Sequence, residues 1–198
     1  MTDTYADFEA HILDDGHRLF VGRLPEDLRP DAAGFEALWA LHPEDYHVIK
    51  MMGRPVKTPR WQQAYGRDYR YTGTTNVALP VPPRLGPVLA WGRAAVDGRL
   101  NGLLLNWYDG SRGHYIGPHH DKTNGLVPGA PIVTVSLGEG RVFRLSHATT
   151  KGCRDFAATD GTAFVMPYDT NEAWKHAVPR STRYRGRRIS ITLRAFEG

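Results

Sequence analysis

The chain reads as a mainly β domain of the α+β class, a jelly roll or related barrel preceded by helices. Three observations predict this. From residue 101 onward, short apolar runs alternate with Gly, Asp and Pro at close spacing, the pattern of short antiparallel strands. Upstream, two stretches carry apolar residues at helical spacing. The last segment, Arg188-Ile189-Ser190-Ile191-Thr192-Leu193-Arg194, alternates strictly between polar and apolar residues, as a strand with two different faces does.

With 198 residues, of which 41% are hydrophobic and 23% charged, the chain can bury a sizeable core, reads as a single domain over 1–198 and is not disordered. The one cysteine, Cys153, permits no intrachain disulfide, which suits a reducing compartment. Met1-Thr2-Asp3-Thr4-Tyr5 lacks the basic and apolar regions of a signal peptide, and no apolar run reaches the length of a membrane span. A soluble cytoplasmic monomer with no membrane partner is expected. The net charge of +4 permits nucleic-acid binding without arguing for it.

Taken in order, Leu19-Phe20-Val21 reads as a strand. Phe35, Leu38, Trp39 and His42 follow one helix face, and Pro43 stops the helix. A second helix spans about 83–97. Leu85, Val88, Leu89 and Val96 line its face, Pro87 sits in its first turn, and Gly98 ends it. Between the helices, 49–80 is rich in aromatic and basic residues and reads as hairpins and loops. Strands follow at 103–108, 132–137, 142–145, 155–157, 162–166 and 188–196, with turns at Gly138-Glu139-Gly140 and Asp160-Gly161.

The chemistry gathers at His119-His120-Asp121. Residues i and i+2 of a strand share a face, so His119 and Asp121 can reach one ion while His120 turns away. A third ligand must come from elsewhere. His176 lies beyond 167–175, where a strand has ended; His114 and His147 compete with it, and His147 directly follows a strand, as a turn residue would. Two imidazoles and one carboxylate in this order suit the facial triad of a non-heme Fe(II) site, which leaves the opposite face open. A closed zinc site would need a fourth ligand, and the lone cysteine offers little. On the last strand, Arg188, Ser190, Thr192 and Arg194 share one face. Burying two arginines without anions is costly, yet their small polar neighbours fit a polar cavity inside a barrel. The arginines stand about 20 Å apart along the strand and could close on a short dicarboxylate from its two ends. Asn106 and Tyr108 would add neutral hydrogen bonds from a neighbouring strand.

These residues, together with Asn106-Trp107-Tyr108, 130–138 and Phe143, resemble the AlkB family of Fe(II)- and 2-oxoglutarate-dependent dioxygenases. Upstream, Gly53, Pro59-Arg60, Gln62, Tyr65-Gly66 and Tyr71-Thr72-Gly73 resemble the nucleotide-recognition lid of its DNA-repair members. The likeness covers about 45–196. It implies a double-stranded β-helix core at about 101–196 under a lid at about 45–80. It implies Fe(2+) held by His119, Asp121 and His176, 2-oxoglutarate held by Asn106, Tyr108, Arg188 and Arg194, and O2 as the oxidant. The implied activity is oxidative dealkylation of N-alkylated bases in DNA or RNA, with a flipped base between Tyr71 and His119, and Arg60, Tyr69 and Met52 on the substrate side. Lys50, Arg54, Lys57, Arg60, Arg67 and Arg70 interleave with Trp61, Tyr65, Tyr69 and Tyr71, a mixture that holds phosphates and stacks bases. The chain departs from the family at Thr123, where repair members carry an acidic residue two positions after the Asp ligand. That departure keeps a second reading open, a hydroxylase of a small metabolite or protein side chain built on the same iron core.

Overall fold

Every second residue of the closing strand is apolar, and the architecture follows from burying both of its faces. The structure, a computed structural model, describes residues 5–71 and 73–198, with the backbone alone at Met51 and Tyr71. Residues 1–4, on which the signal-peptide reading rested, lie outside it. The described residues form β1 (Phe8–Ile12), β2 (Arg18–Arg23), α1 (Ala32–Trp39), β3 (Val48–Met51), β4 (Arg54–Lys57) and β5 (Trp61–Tyr65). There follow β6 (Tyr69–Tyr71), β7 (Thr74–Asn76), α2 (Gly86–Ala95), β8 (Gly102–Asp109), β9 (Ile116–His119) and β10 (Ile132–Gly138). The chain closes with β11 (Arg141–His147), β12 (Cys153–Ala158), β13 (Thr162–Met166), α3 (Tyr168–Ala173), β14 (Trp174–Val178) and β15 (Arg187–Arg194).

Seven strands form one sheet in the order β1-β2-β13-β10-β15-β8-β5, and four form a second in the order β12-β11-β14-β9. This is the expected jelly roll. The larger sheet has two buried faces. Outside, Leu103, Leu105 and Trp107 of β8, Val133 and Val135 of β10, and Ile189, Ile191 and Leu193 of β15 pack with Leu38 of α1 and Val88 of α2. Trp107 Nε1 donates to the Leu38 carbonyl at 3.0 Å. Inside, Leu19, Ile132, Phe164 and Met166 meet Phe143, Leu145, Ala158 and Trp174 of the smaller sheet, and the Phe143 and Phe164 rings stack at 4.6 Å. Each of these Leu, Ile, Val, Phe and Met side chains contributes about 1.5–3 kcal/mol on burial. The rest of the inner face is polar, and there the cavity lies.

Both expected helices form. Asp31 caps α1 by accepting from Gly34 N at 2.7 Å. The helix ends at Trp39, a turn short of Pro43. β1, α3 and β14 escaped the sequence reading. β9 carries His119 on a strand as expected but ends there, short of Asp121. β14 corrects the expectation that His176 follows a strand end: His176 sits inside β14, paired with Leu145 of β11 and His119 of β9. β5 falls within the expected lid but pairs with β8 as the edge of the larger sheet. The hairpins β3–β4 and β6–β7 are what stand apart from the barrel sheets. Among the described residues no helix is long and apolar enough to cross a membrane.

Gly138 ends β10 opposite Arg188. Its φ is +84°, and a Cβ there would lie 2.5 Å from the Arg187 carbonyl oxygen. Gly138→Ala should therefore cost roughly 2 kcal/mol or more, through backbone strain and overpacking together. Urea unfolding should show a lower midpoint; an unchanged midpoint would mean the junction relaxes without cost.

Candidate metal and co-substrate site

Pairing of β9 with β14 sets His119 directly across from His176, with ring centroids 4.2 Å apart. Asp121 lies two residues past the end of β9, and its Oδ1 is 3.7 Å from Nε2 of each histidine. One ligand atom from each residue falls within 4.8 Å of the others. Bonds near 2.1 Å meeting at right angles need ligand atoms roughly 3 Å apart, so a small contraction would let the three hold one ion on a single face. A strand pleat does not place Asp121, because β9 has already ended. Asn171 of α3 does so instead. Asp121 N donates to Asn171 Oδ1 at 2.9 Å, and Asn171 Nδ2 donates to the Asp121 carbonyl at 3.0 Å. His120 turns away as expected, its Nδ1 against the Asn171 carbonyl at 2.6 Å. Asn171 went unnoticed in the sequence because a single amide carries no periodic signal. The competing histidines are otherwise engaged. His114 meets Tyr46 Oη at Nε2 and accepts from Asp109 N at Nδ1. His147 Nδ1 accepts from Thr149 N and Thr150 N.

Charge tunes the donors. Burial alone would raise the Asp121 carboxyl pKa, but Arg194, His176 and His119 outweigh it and hold the group well below the usual carboxylate range. Burial, with His119 and Arg194 adding to it, pushes His176 down to about 3. His119 is lowered chiefly by burial. The set is thus two neutral imidazoles and an ionised carboxylate, the state a metal needs. Arg194 donates through Nε at 3.0 Å and Nη2 at 2.5 Å to Asp121 Oδ2, with its Cζ 4.4 Å from the Tyr69 ring.

The four sequence-predicted co-substrate residues line the same cavity, of about 500 Å³. Arg188 is fully buried. Its Nε donates to Ser136 Oγ at 2.8 Å, while Nη1 and Nη2 have no hydrogen-bond partner among the described residues. Tyr108 lies beneath it, with its ring 5.0 Å from Cζ. Asn106 Oδ1 accepts from Arg60 Nε at 2.7 Å. Phe143 closes the apolar wall behind His176, ring to ring at 5.7 Å.

The substrate side differs from the sequence reading in three places. Arg60 is not a surface phosphate contact; it is buried in the cavity wall. Trp61 and Tyr65 are core residues because β5 joins the sheet: Trp61 stacks between His42 at 4.2 Å and Tyr46 at 5.3 Å. Tyr69 is buried against Arg194 and Phe196 and lines the cavity. Met52 stands fully exposed at the tip of the β3–β4 hairpin with φ 48°, followed by Gly53 at 76°, both left-handed as a type I′ turn requires. The Tyr71 side chain and Thr72 lie outside the described residues.

A model of the 2OG-Fe(II) oxygenase superfamily matches residues 34–194. The chain is 29% identical over 157 residues to the DNA oxidative demethylase ALKBH2 of Mus musculus, covering 74% of this chain and 65% of that protein. The same protein of Homo sapiens is 29% identical, with 74% and 60% covered. The chain thus spans less than two thirds of the length of these relatives. The solved structure of OsALKBH1 superposes with a TM-score of 0.57 at 14% identity, covering 94% of this chain and 99% of that one, which supports the fold.

The depressed histidines make acid stability testable. Unfolded, each takes up a proton near 6.5; folded, each resists protonation until lower pH. Their contribution is therefore complete above about 6.5 and lost as pH falls below it, for His176 down to about 3, by up to about 1.4 kcal/mol per pH unit for each group. Asp121, also depressed, deepens the loss below about 4. The melting temperature of the metal-free protein should fall between pH 7.5 and 5, and fall less steeply in His176→Gln. A flat profile would contradict this.

Proposed function

Because the chain belongs to the 2OG-Fe(II) oxygenase superfamily, with AlkB-type proteins as relatives, we propose that it is a dioxygenase that oxidatively dealkylates N-alkylated bases in nucleic acid, DNA foremost. The superfamily works with Fe(2+), 2-oxoglutarate and O2. One observation carries the reading: the His119-Asp121-His176 donors share a cavity with Arg188, a buried guanidinium with two nitrogens that have no hydrogen-bond partner among the described residues. A buried cation of that kind awaits an anion.

When bound, the iron with 2-oxoglutarate and O2 supplies hydroxylation of an N-alkyl carbon, after which the hemiaminal separates into aldehyde and free base. His119, Asp121 and His176 hold the metal without first shedding protons. Arg188 takes one carboxylate of 2-oxoglutarate, aided by Tyr108. Arg194 places positive charge beside Asp121, and Asn106, which lines the cavity, would add a neutral hydrogen bond to the co-substrate. The Phe143 wall excludes water from His176. On the lid, Met52 would fill the gap left by a base that leaves its stack, and Arg60 and Tyr69, which line the cavity, would lie on the substrate side; the role of Tyr71 opposite His119 rests on the family resemblance alone. Exposed Lys50, Arg54, Lys57, Arg67 and Arg70 hold phosphates. The protein is proposed to act as a cytoplasmic monomer. The names of the ALKBH2 relatives support the DNA assignment. Thr123 favours the second reading, a metabolite or protein hydroxylase on the same core.

The experiment is 2-oxoglutarate turnover with Fe(II), with and without a methylated oligonucleotide. Stimulated succinate release together with base repair is expected, whereas turnover indifferent to every nucleic acid would favour the second reading. His119→Ala, Asp121→Ala and His176→Ala should each abolish turnover in a folded protein. Arg188→Ala should weaken 2-oxoglutarate binding by about 2–5 kcal/mol, the loss expected on removing one partner of a buried charge pair; unchanged affinity in calorimetry would refute its role.

Met52→Asn should relieve the turn, because Asn tolerates the left-handed region better, and raise thermal stability slightly. The same change should lower affinity for a duplex carrying the lesion and leave 2-oxoglutarate turnover without nucleic acid intact. Equal duplex affinity would remove Met52 from the interface.

A further inference from the structure

We propose that the base-binding part of the cavity selects N-alkyl lactam bases, which are neutral, over alkylated bases with a fixed positive charge. The proposal rests on the nucleic-acid dealkylation reading above. The charged residues lining the cavity are Lys57, Arg60, Lys122, Arg188 and Arg194, against a single carboxylate, Asp121. A bound Fe(2+) and a 2-oxoglutarate dianion cancel each other, and Asp121 offsets Arg194, which donates to it twice. Positive charge therefore remains on the substrate side, and no carboxylate among the described cavity residues answers it.

Position decides which of these charges matters. Lys57 and Lys122 are exposed, so water and salt screen them. Arg60 is buried at 6% exposure, and its side-chain partner is the neutral Asn106 Oδ1 at 2.7 Å. In the chain it lies between β4 and β5, and it lines the cavity. Thr123, two residues after Asp121, adds no negative charge. A base with a fixed cation would bring like charge against Arg60 in a site of low dielectric, where such repulsion is strong. A lactam, with carbonyl oxygens beside the alkylated ring nitrogen, presents acceptors to that guanidinium, the same chemistry by which arginine reads a guanine O6.

The test uses oligonucleotides carrying one lesion each: 1-methylguanine and 3-methylthymine as lactams, 1-methyladenine and 3-methylcytosine as cations. Dealkylated product is measured by mass spectrometry with Fe(II), 2-oxoglutarate and the whole chain. For the lactams kcat/KM should exceed that for the cations by about tenfold or more at low salt. Lys122→Glu, which puts a carboxylate among the cavity-lining residues, should shrink or reverse that ratio. A wild-type preference for the cationic lesions would overturn this proposal and leave the dealkylase reading standing. An unchanged ratio in Lys122→Glu would overturn its electrostatic basis. Failure to process any of the four lesions would overturn the dealkylase reading, and this proposal with it.

Discussion

The ion pair between Arg194 and Asp121 ties the parts of this molecule together. Both side chains are almost fully buried, at 3% and 4% exposure. Taking two charges out of water costs several kcal/mol per ion unless the geometry is good. Here two guanidinium nitrogens donate to one oxygen, Oδ2, while Oδ1 is left 3.7 Å from both histidines. The pair thus decides which carboxylate oxygen faces the metal position. It also joins the closing strand to the loop after β9, so the metal site is only as well placed as the register of β15.

That register is set on the far side of the sheet. Ile189, Ile191 and Leu193 are buried in the helix-covered core, and a slip of one residue would turn them into the cavity and send the arginines into the apolar layer. The apolar face therefore positions the polar one. Gly138 and Ser136 on β10 support it, the first by letting the Arg187 carbonyl approach and the second by taking Arg188 Nε. The β3–β4 hairpin has no such backing. A two-stranded hairpin is marginal by itself, and it leans on the second hairpin, where His47, just before β3, meets Thr74 of β7.

What the sequence made legible follows from period. The alternation of β15 and of the Asn106/Tyr108 pair announced a polar cavity wall, and both arginines lie there. The His-x-Asp spacing brought the right two residues together for an incomplete reason: a strand supplies His119, and the Asn171 clamp supplies Asp121. His176 was placed past a strand end because α3 and β14 follow each other without a turn signal, and the 49–80 segment hid β5 because its aromatic residues read equally well as a binding surface. In both cases strand pairing distant in sequence decided the outcome, and no local pattern encodes that. Arg60 shows the same limit. Its charge suggested the surface, but its hydrogen bond to Asn106, on a strand distant in sequence, holds it in the wall.

Chemistry and selectivity are thereby separated within a few residues. Asn171 grips the backbone of Asp121 through both its N–H and its carbonyl, so the metal ligand is fixed independently of the side chains that follow. Lys122 and Thr123 can then vary in charge without moving the carboxylate that holds the metal. Arg60 is likewise anchored to the floor through Nε, which leaves the charge of its other nitrogens to act on whatever enters. On the proposal above, substrate preference is a matter of the electrostatics of a short loop and one buried arginine, laid over donor residues whose geometry the barrel has already determined.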